Sequence, residues 1–237
     1  VITTIAGNGA NDFLGDGGLA TDARMSTPRS VAFDNSNNMY ISDGQNFVIR
    51  KVDMTTGNIS TIAGTAGTKG FSGDGGPATA AKLFAPQRLT FDGGRMLYFS
   101  DMQNQRIRQV DLSTGIINTV AGSGTRGYSG DAIGALTAQF FAPLGLACAR
   151  AGPLFIADNV NHRIRALPIP ASIGIVLTGS SSVPTGTPVS FTAYSSITSN
   201  VTYQWQLNGS DISGATSTTY TDVSPVNGSI YTCIVTV

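Results

Sequence analysis

Apolar residues in this chain gather in short runs closed by turn residues. Between residues 87 and 121 the runs cover 87–92, 96–101, 106–111 and 116–121, separated by Gly93-Gly94, Gln103-Asn104 and Ser113-Thr114-Gly115. Runs of this length, bounded by Gly, Asn and Ser, predict strands, and four in succession with short connections predict an antiparallel meander. Strict alternation is absent, since Leu97, Tyr98 and Phe99 are consecutive. A strand that is apolar on both sides predicts a sheet covered on both faces.

The pattern recurs. Residues 2–7 (Ile-Thr-Thr-Ile-Ala-Gly) return at 59–64 as Ile-Ser-Thr-Ile-Ala-Gly and at 117–122 as Ile-Asn-Thr-Val-Ala-Gly. Pro28, Pro86 and Pro143 mark one register, spaced by 58 and then 57 residues. Gly15-Asp16-Gly17-Gly18 becomes Gly73-Asp74-Gly75-Gly76 and decays to Gly130-Asp131-Ala132, while Tyr-Ile-Ser-Asp ending at Asp43 becomes Tyr-Phe-Ser-Asp at Asp101 and Phe-Ile-Ala-Asp at Asp158. A unit that recurs in order predicts one structural module stacked on its copies. Between the last strand of one copy and the first of the next lies a glycine-rich excursion. In it Pro77 followed by Ala78, Ala80 and Ala81 predicts one or two helical turns.

Counting strands exposes an asymmetry. Three first strands are present, but the third copy has no fourth strand, and the chain opens on an orphan one at residues 2–6. The third copy also departs in detail: Cys148 replaces Phe33 and Phe91, Ala149 replaces Asp34 and Asp92, and Pro168 ends its third strand early.

Charge divides the chain. All 14 Lys and Arg lie before residue 166, whereas residues 171–237 carry only Asp211 and Asp222. The cut falls at Pro168-Ile169-Pro170, giving expected domains 1–167 and 168–237. Overall, 14 positive residues balance 14 negative ones, and the charged fraction is 12%, about half the usual ~25%. Such a balance argues against nucleic acid or an anionic membrane as partner. No run approaches the roughly 20 apolar residues of a membrane helix, so no membrane insertion is expected. Cys148 and Cys233 fall in different segments at no metal-site spacing and are expected to be buried free thiols.

The motifs above resemble those of the NHL-repeat β-propeller family over residues 1–167. The resemblance implies an all-β fold of three propeller blades, each with a short helical insertion. Propellers carry about four to eight blades, so three imply blades upstream, completion by other chains, or an open array. Residues 168–237 are rich in Ser, Thr and Val, with turn signals at Asn208-Gly209 and Asn227-Gly228. Trp205, with Tyr231 two residues before Cys233, resembles the core of an immunoglobulin-like β-sandwich, with Phe191 in place of the first cysteine. The resemblance implies a sandwich core of Phe191, Trp205, Tyr231 and Cys233. On this reading the last strand of the sandwich is expected to come from further chain or from a neighbouring molecule.

Candidate chemistry is sparse. His162 is the single histidine and there is no Glu, so no catalytic, cofactor-binding or metal site is expected and no cofactor is implied. Some NHL-type propellers are enzymes using several histidines and a metal, a set that cannot be assembled here. Asp43, Asp101 and Asp158 each precede an Arg by seven residues, at Arg50, Arg108 and Arg165. They read as pairs fastening one hairpin, in preference to ligand contacts around a pore. Asp16, Asp74 and Asp131 in their glycine loops read as turn-stabilising, because the spacing matches no calcium loop. Asn58, Asn200, Asn208 and Asn227 head Asn-x-Ser/Thr sequons and are glycosylation candidates.

These readings predict a non-catalytic extracellular or cell-surface scaffold that assembles with copies of itself, as an oligomer or filament, through incomplete β-edges. The alternative is a ligand-binding propeller recognising a glycan or peptide, with the second domain as a stalk.

Overall fold

A computed structural model describes residues 1–149, 153–169, 173–178, 187–195 and 201–236. These fall into two compact units, Val1–Ala149 with Pro153–Ile169, and the described part of Pro170–Val237.

The first unit is built from three antiparallel sheets. The first holds β1 (Pro28–Phe33), β2 (Met39–Asp43), β3 (Val48–Val52) and β4 (Ile59–Ala63) in that spatial order. The second repeats it with β5 (Pro86–Phe91), β6 (Met96–Asp101), β7 (Arg106–Asp111) and β8 (Ile116–Ala121). The third has β9 (Pro143–Cys148), β10 (Leu154–Asp158) and β11 (Arg163–Leu167), with no fourth strand among the described residues. The strands β1, β5 and β9 lie side by side, and the sheets do not close a ring.

Consecutive apolar residues form strands here because both faces of a sheet are covered. Tyr40 and Ile49 of the first sheet pack with Leu89, Leu97, Phe99 and Val110 of the second. The opposite face of the second sheet presents Tyr98 and Ile107 to Leu146, Leu154 and Ile156 of the third. Leu97, Phe99, Ile107 and Ile117 are fully buried, each contributing about 1.5–3 kcal/mol.

The excursions complete these cores. Ala78, Ala81 and Leu83 join the core between the first and second sheets. The predicted helical turns reduce to a three-residue 3-10 turn, Ala78–Ala80, because Ala81 is already extended (ψ 156°) and leads Leu83 into the core. The first two excursions also run back along the outer edge of the sheet that follows them. Gly17 N–H donates to Ile59 O (2.7 Å) and Ile59 N–H to Gly18 O (2.9 Å). In the second copy Gly75 N–H donates to Ile117 O (2.9 Å) and Ile117 N–H to Gly76 O (3.1 Å). The edges of β4 and β8 are thereby blunted. A Cβ at Gly73 would lie 2.6 Å from the Ala81 Cβ, so this close approach requires glycine.

Residues 2–6, expected as a strand, enter no sheet. Their backbone has no ladder partner among the described residues, and a β pattern without a partner forms no strand.

The second unit has two three-stranded antiparallel sheets. One places β13 (Val189–Ser195) between β12 (Ile173–Thr178) and β16 (Thr219–Asp222). The other places β14 (Thr202–Leu207) between β15 (Ser210–Asp211) and β17 (Tyr231–Thr236). Rings from both sheets meet: Trp205 lies 6.1 Å from Phe191 and 6.0 Å from Tyr220, and Phe191 stacks on Tyr231 at 4.4 Å. Trp205 is fully buried and its Nε1–H donates to Ser217 O (2.9 Å).

Candidate functional site

Asp43, Asp101 and Asp158 end the second strand of each sheet and are fully buried. Each accepts the same three contacts. Asp101 receives Phe84 N–H (2.8 Å), Asn104 Nδ2 (2.7 Å) and Arg108 Nη1 (3.4 Å). Asp158 receives Phe141 N–H (2.8 Å), Asn161 Nδ2 (2.8 Å) and Arg165 Nη1 (3.4 Å). Asp43 receives Ser26 N–H (2.7 Å) and Asn46 Nδ2 (2.8 Å), with Arg50 Nη1 at 3.8 Å. Burial pushes the carboxyl of Asp101 up to about 6, against the opposing pull of Asn104, the Phe84 N–H and Arg108. Burial raises Asp43 as well.

Each arginine then reaches past its hairpin to the glycine loop. Arg50 Nη2 donates to Asp16 (2.7 Å), Arg108 Nη2 to Asp74 (2.8 Å), and Arg165 Nη2 pairs with Asp131 (2.9 Å). The same Nη2 atoms donate to the Leu14, Ser72 and Ser129 carbonyls at 3.1 Å. Phe13, Phe71 and Tyr128 lie 5.0, 4.9 and 5.2 Å from these guanidiniums. Each cluster is a pin holding the excursion to its sheet, with the inner carboxylate saturated by protein donors. That Asp16, Asp74 and Asp131 supply the second carboxylate was missed by sequence reasoning. The signal was present as a constant separation of 34 residues from the partner arginine.

The pins weaken along the chain. Arg50 and Arg108 are fully buried, but Arg165 is 9% exposed and its partner Asp131 is 66% exposed. The reason is the third sheet, whose outer strand lacks a neighbour. Ile164, equivalent to the buried Ile49 and Ile107, is 71% exposed. A groove of about 420 Å³ runs along this edge, lined by Ala132, Ile133, Phe140, Ile156, Arg165 and Leu167 among others. Backbone on the outer edge of β11 is therefore open to an added strand, in an apolar trough.

A second groove of about 680 Å³ lies at the other end of the array, lined by Thr4, Asn8, Asn11, Thr21, Met25 and Thr27 among others. His162 is exposed at the end of a 3-10 turn. Among the described residues no group of three or more His, Cys, Asp or Glu is placed to hold a metal, and no helix is long and apolar enough to cross a membrane. Both cysteines are free, but half-buried where full burial was expected. Cys233 pairs across strands with Trp205, and burial raises its thiol pKa. The Tyr231 hydroxyl donates to Asp222. Asn208 and Asn227 are exposed at turns, Asn58 is exposed in a β-bridge to Leu19 just before β4, and Asn200 lies outside the described residues.

A model of the teneurin NHL domain matches residues 4–72. NHL repeat-containing protein 2 of Bos taurus is 32% identical over 99 residues, covering 41% of this chain and 13% of that protein. Teneurin-1 of Gallus gallus is 34% identical over 103 residues, covering 39% of this chain and 4% of that protein. Among solved structures, a structural genomics protein of unknown function from Bacteroides thetaiotaomicron superposes with a TM-score of 0.54 at 23% identity, over 62% of this chain and 37% of that one. An auxiliary nutrient binding protein from Bacteroides ovatus gives 0.52 at 22%, over 62% and 38%. The chain thus carries an NHL-repeat segment in an all-β, propeller-like fold, and spans a small part of these relatives' lengths.

Proposed function

We propose that the chain is a non-catalytic scaffold of the extracellular space or cell surface that associates through backbone β-edges, its second unit being a sandwich of immunoglobulin-like type. The observation that carries this is the third sheet. Where β4 and β8 complete the first two sheets, β11 offers an unpaired edge beside exposed Ile164 and Ile133. An exposed, apolar strand edge is a template for pairing with another chain. The absence of catalysis is supported by the pins, whose buried carboxylates are spent on protein donors. Location outside the cell is supported by exposed sequons at Asn58, Asn208 and Asn227. Light scattering across a concentration series tests the reading: association is expected, and a monomer at every concentration overturns it. Expression in a glycosylating host, followed by glycosidase treatment, should lower the mass, and an unchanged mass removes the glycan component.

A second reading, a propeller that binds a glycan or peptide with the second unit as stalk, is favoured by the groove of about 680 Å³ and its hydroxyl and amide groups on Thr4, Asn8, Asn11, Thr21 and Thr27. Glycan-array binding that is lost on Asn11→Ala would support it.

A further inference from the structure

Resting on the second reading, in which the first unit binds a glycan, we infer that the ligand is an acidic polysaccharide, and that its carboxylate or sulfate groups are held by a row of four cations, Lys69, Arg106, Arg126 and Arg163.

Two equivalent 3-10 turns carry the row, Met102–Asn104 in the second copy and Asn159–Asn161 in the third. On the first turn Asn104 Nδ2 donates to Gly70 O (2.6 Å), which fixes Lys69 alongside, and Arg106 Nη1 donates to Asn104 O (2.9 Å). Arg126 Nη2 donates to Gln103 Oε1 (3.4 Å), so a cation of the next excursion joins the same turn. On the second turn Asn161 Nδ2 donates to Gly127 O (2.7 Å), next to Arg126, and Arg163 Nη1 donates to Asn161 O (2.8 Å). Arg126 thus links the two turns, and the four charges follow one another from the second sheet to the third.

These charges are held still and left without a counter-charge. The guanidinium of Arg106 lies 3.7 Å from the centre of the Phe71 ring, and that of Arg163 lies 3.8 Å from Tyr128. Lys69 sits 5.4 Å from Phe84, and Arg126 sits 5.8 Å from Phe141. Arg106 Nη2 also donates to Ser123 O (2.7 Å), across bare Gly124, where a Cβ would meet Nη1 at 2.0 Å. Among the described residues none of the four forms an ion pair, because the carboxylates of this region, Asp74, Asp101, Asp131 and Asp158, are engaged by Arg108 and Arg165. The N–H donors that Arg106 does not spend on carbonyls are free for a carboxylate or sulfate oxygen. Side chains already fixed lose little freedom on binding, which favours affinity.

The fold does not require the row. In the first copy Asn46 makes the same clamp, its Nδ2 donating to Asp12 O (2.9 Å), yet Asn11 stands in the place of Lys69 and Arg126, and Val48 in the place of Arg106 and Arg163. That sheet is as complete as the second. The cations therefore answer a need other than folding, and like charges set in a line match a linear polymer that bears anions along its length. Nucleic acid is the poorer match. Phe71 and Tyr128 each already carry two guanidiniums, so they are taken as platforms for base stacking.

The test measures binding of the full chain to polygalacturonate and to dextran sulfate by biolayer interferometry, with neutral dextran and poly(U) RNA as comparisons. Binding to at least one acidic polysaccharide and not to dextran is expected, weakened in about 0.5 M salt, where the charges are screened. The two acidic probes separate carboxylate from sulfate. Arg126→Gln with Arg163→Gln, both at exposed positions, should weaken binding roughly tenfold or more. Arg106→Val, which copies the first repeat, should act in the same direction. Lys51→Gln removes a charge from β3 of the first sheet and should leave the affinity unchanged, and far-UV circular dichroism should be the same for every variant. Binding that survives the row variants, or is confined to neutral dextran, overturns this site and leaves the glycan-binding reading standing. Tighter binding of poly(U) than of either acidic polysaccharide overturns the ligand class, and no binding to any polysaccharide overturns both this site and the glycan reading.

Discussion

Replacing Arg108 by methionine keeps most of the buried volume and removes the charge. Asp101, Asp74 and the Ser72 carbonyl, at 3.4, 2.8 and 3.1 Å, lose a charged donor at once. Asp74 is 39% exposed and turns to water, but Asp101 is fully buried. Breaking such a buried pair costs about 3–5 kcal/mol, because one group is left uncompensated. The cost depends on pH. Burial already lifts Asp101 to about 6 from the 3.8 of an exposed aspartate, and losing Arg108 lifts it further. A raised carboxyl binds its proton more tightly in the folded state, so stability falls as pH rises from near 3.8 to the folded value and levels off above it. In the variant this window extends further upward, so the loss is larger at pH 8 than at pH 5. Urea unfolding followed by circular dichroism at both pH values measures it. The fluorescence of Trp205, in the second unit, serves as an internal control. Arg165→Met should cost less, about 1–2 kcal/mol, because Arg165 is already 9% exposed at the open sheet edge and water can take its place beside Asp158. Equal losses at Arg108 and Arg165, a loss below about 1 kcal/mol at Arg108, or a loss that ignores pH would each refute the reasoning.

Two further predictions concern packing. A Cβ at Gly122 (φ +99°) would lie 2.3 Å from the Gln105 carbonyl, while one at Gly115 (φ +71°) meets nothing. Gly115→Ala should cost only the backbone strain of about 1–2 kcal/mol, and Gly122→Ala a further 1–3, roughly, for overlap, both read from urea midpoints. Trp205→Ala empties the aromatic cluster of the second unit and should cost about 3–5 kcal/mol, lowering that unit's melting transition and leaving the first unit's unmoved.

Much of the first unit was legible in the sequence. The predicted spans 96–101, 106–111 and 116–121 coincide with β6, β7 and β8, and 87–92 misses β5 by one residue. Glycine, asparagine and serine turns punctuate the chain there, so local chemistry alone marks the boundaries. Where structure depends on distant partners the reading thinned. Residues 2–6 carry the same Ile-x-Thr-Ile/Val-Ala pattern as β4 and β8 yet form no strand, since a strand exists only in a pair. Alanines after Pro77 predicted more helix than forms, because burying Ala81 and Leu83 outweighs alanine's local preference. The Asp–Arg hairpin contacts could be anticipated from a spacing of seven. The longer reach to Asp16, Asp74 and Asp131 needed the excursion's path.

The order of parts along the chain matters for synthesis. Gly17 and Gly18 are translated before Ile59, and Gly75 and Gly76 before Ile117, so the clasp for each outermost strand has left the ribosome ahead of the strand it will hold. A nascent strand of this kind finds its cover waiting and has little time to meet a neighbouring nascent chain. In the third repeat the clasp emerges and, among the described residues, no strand of its own follows it.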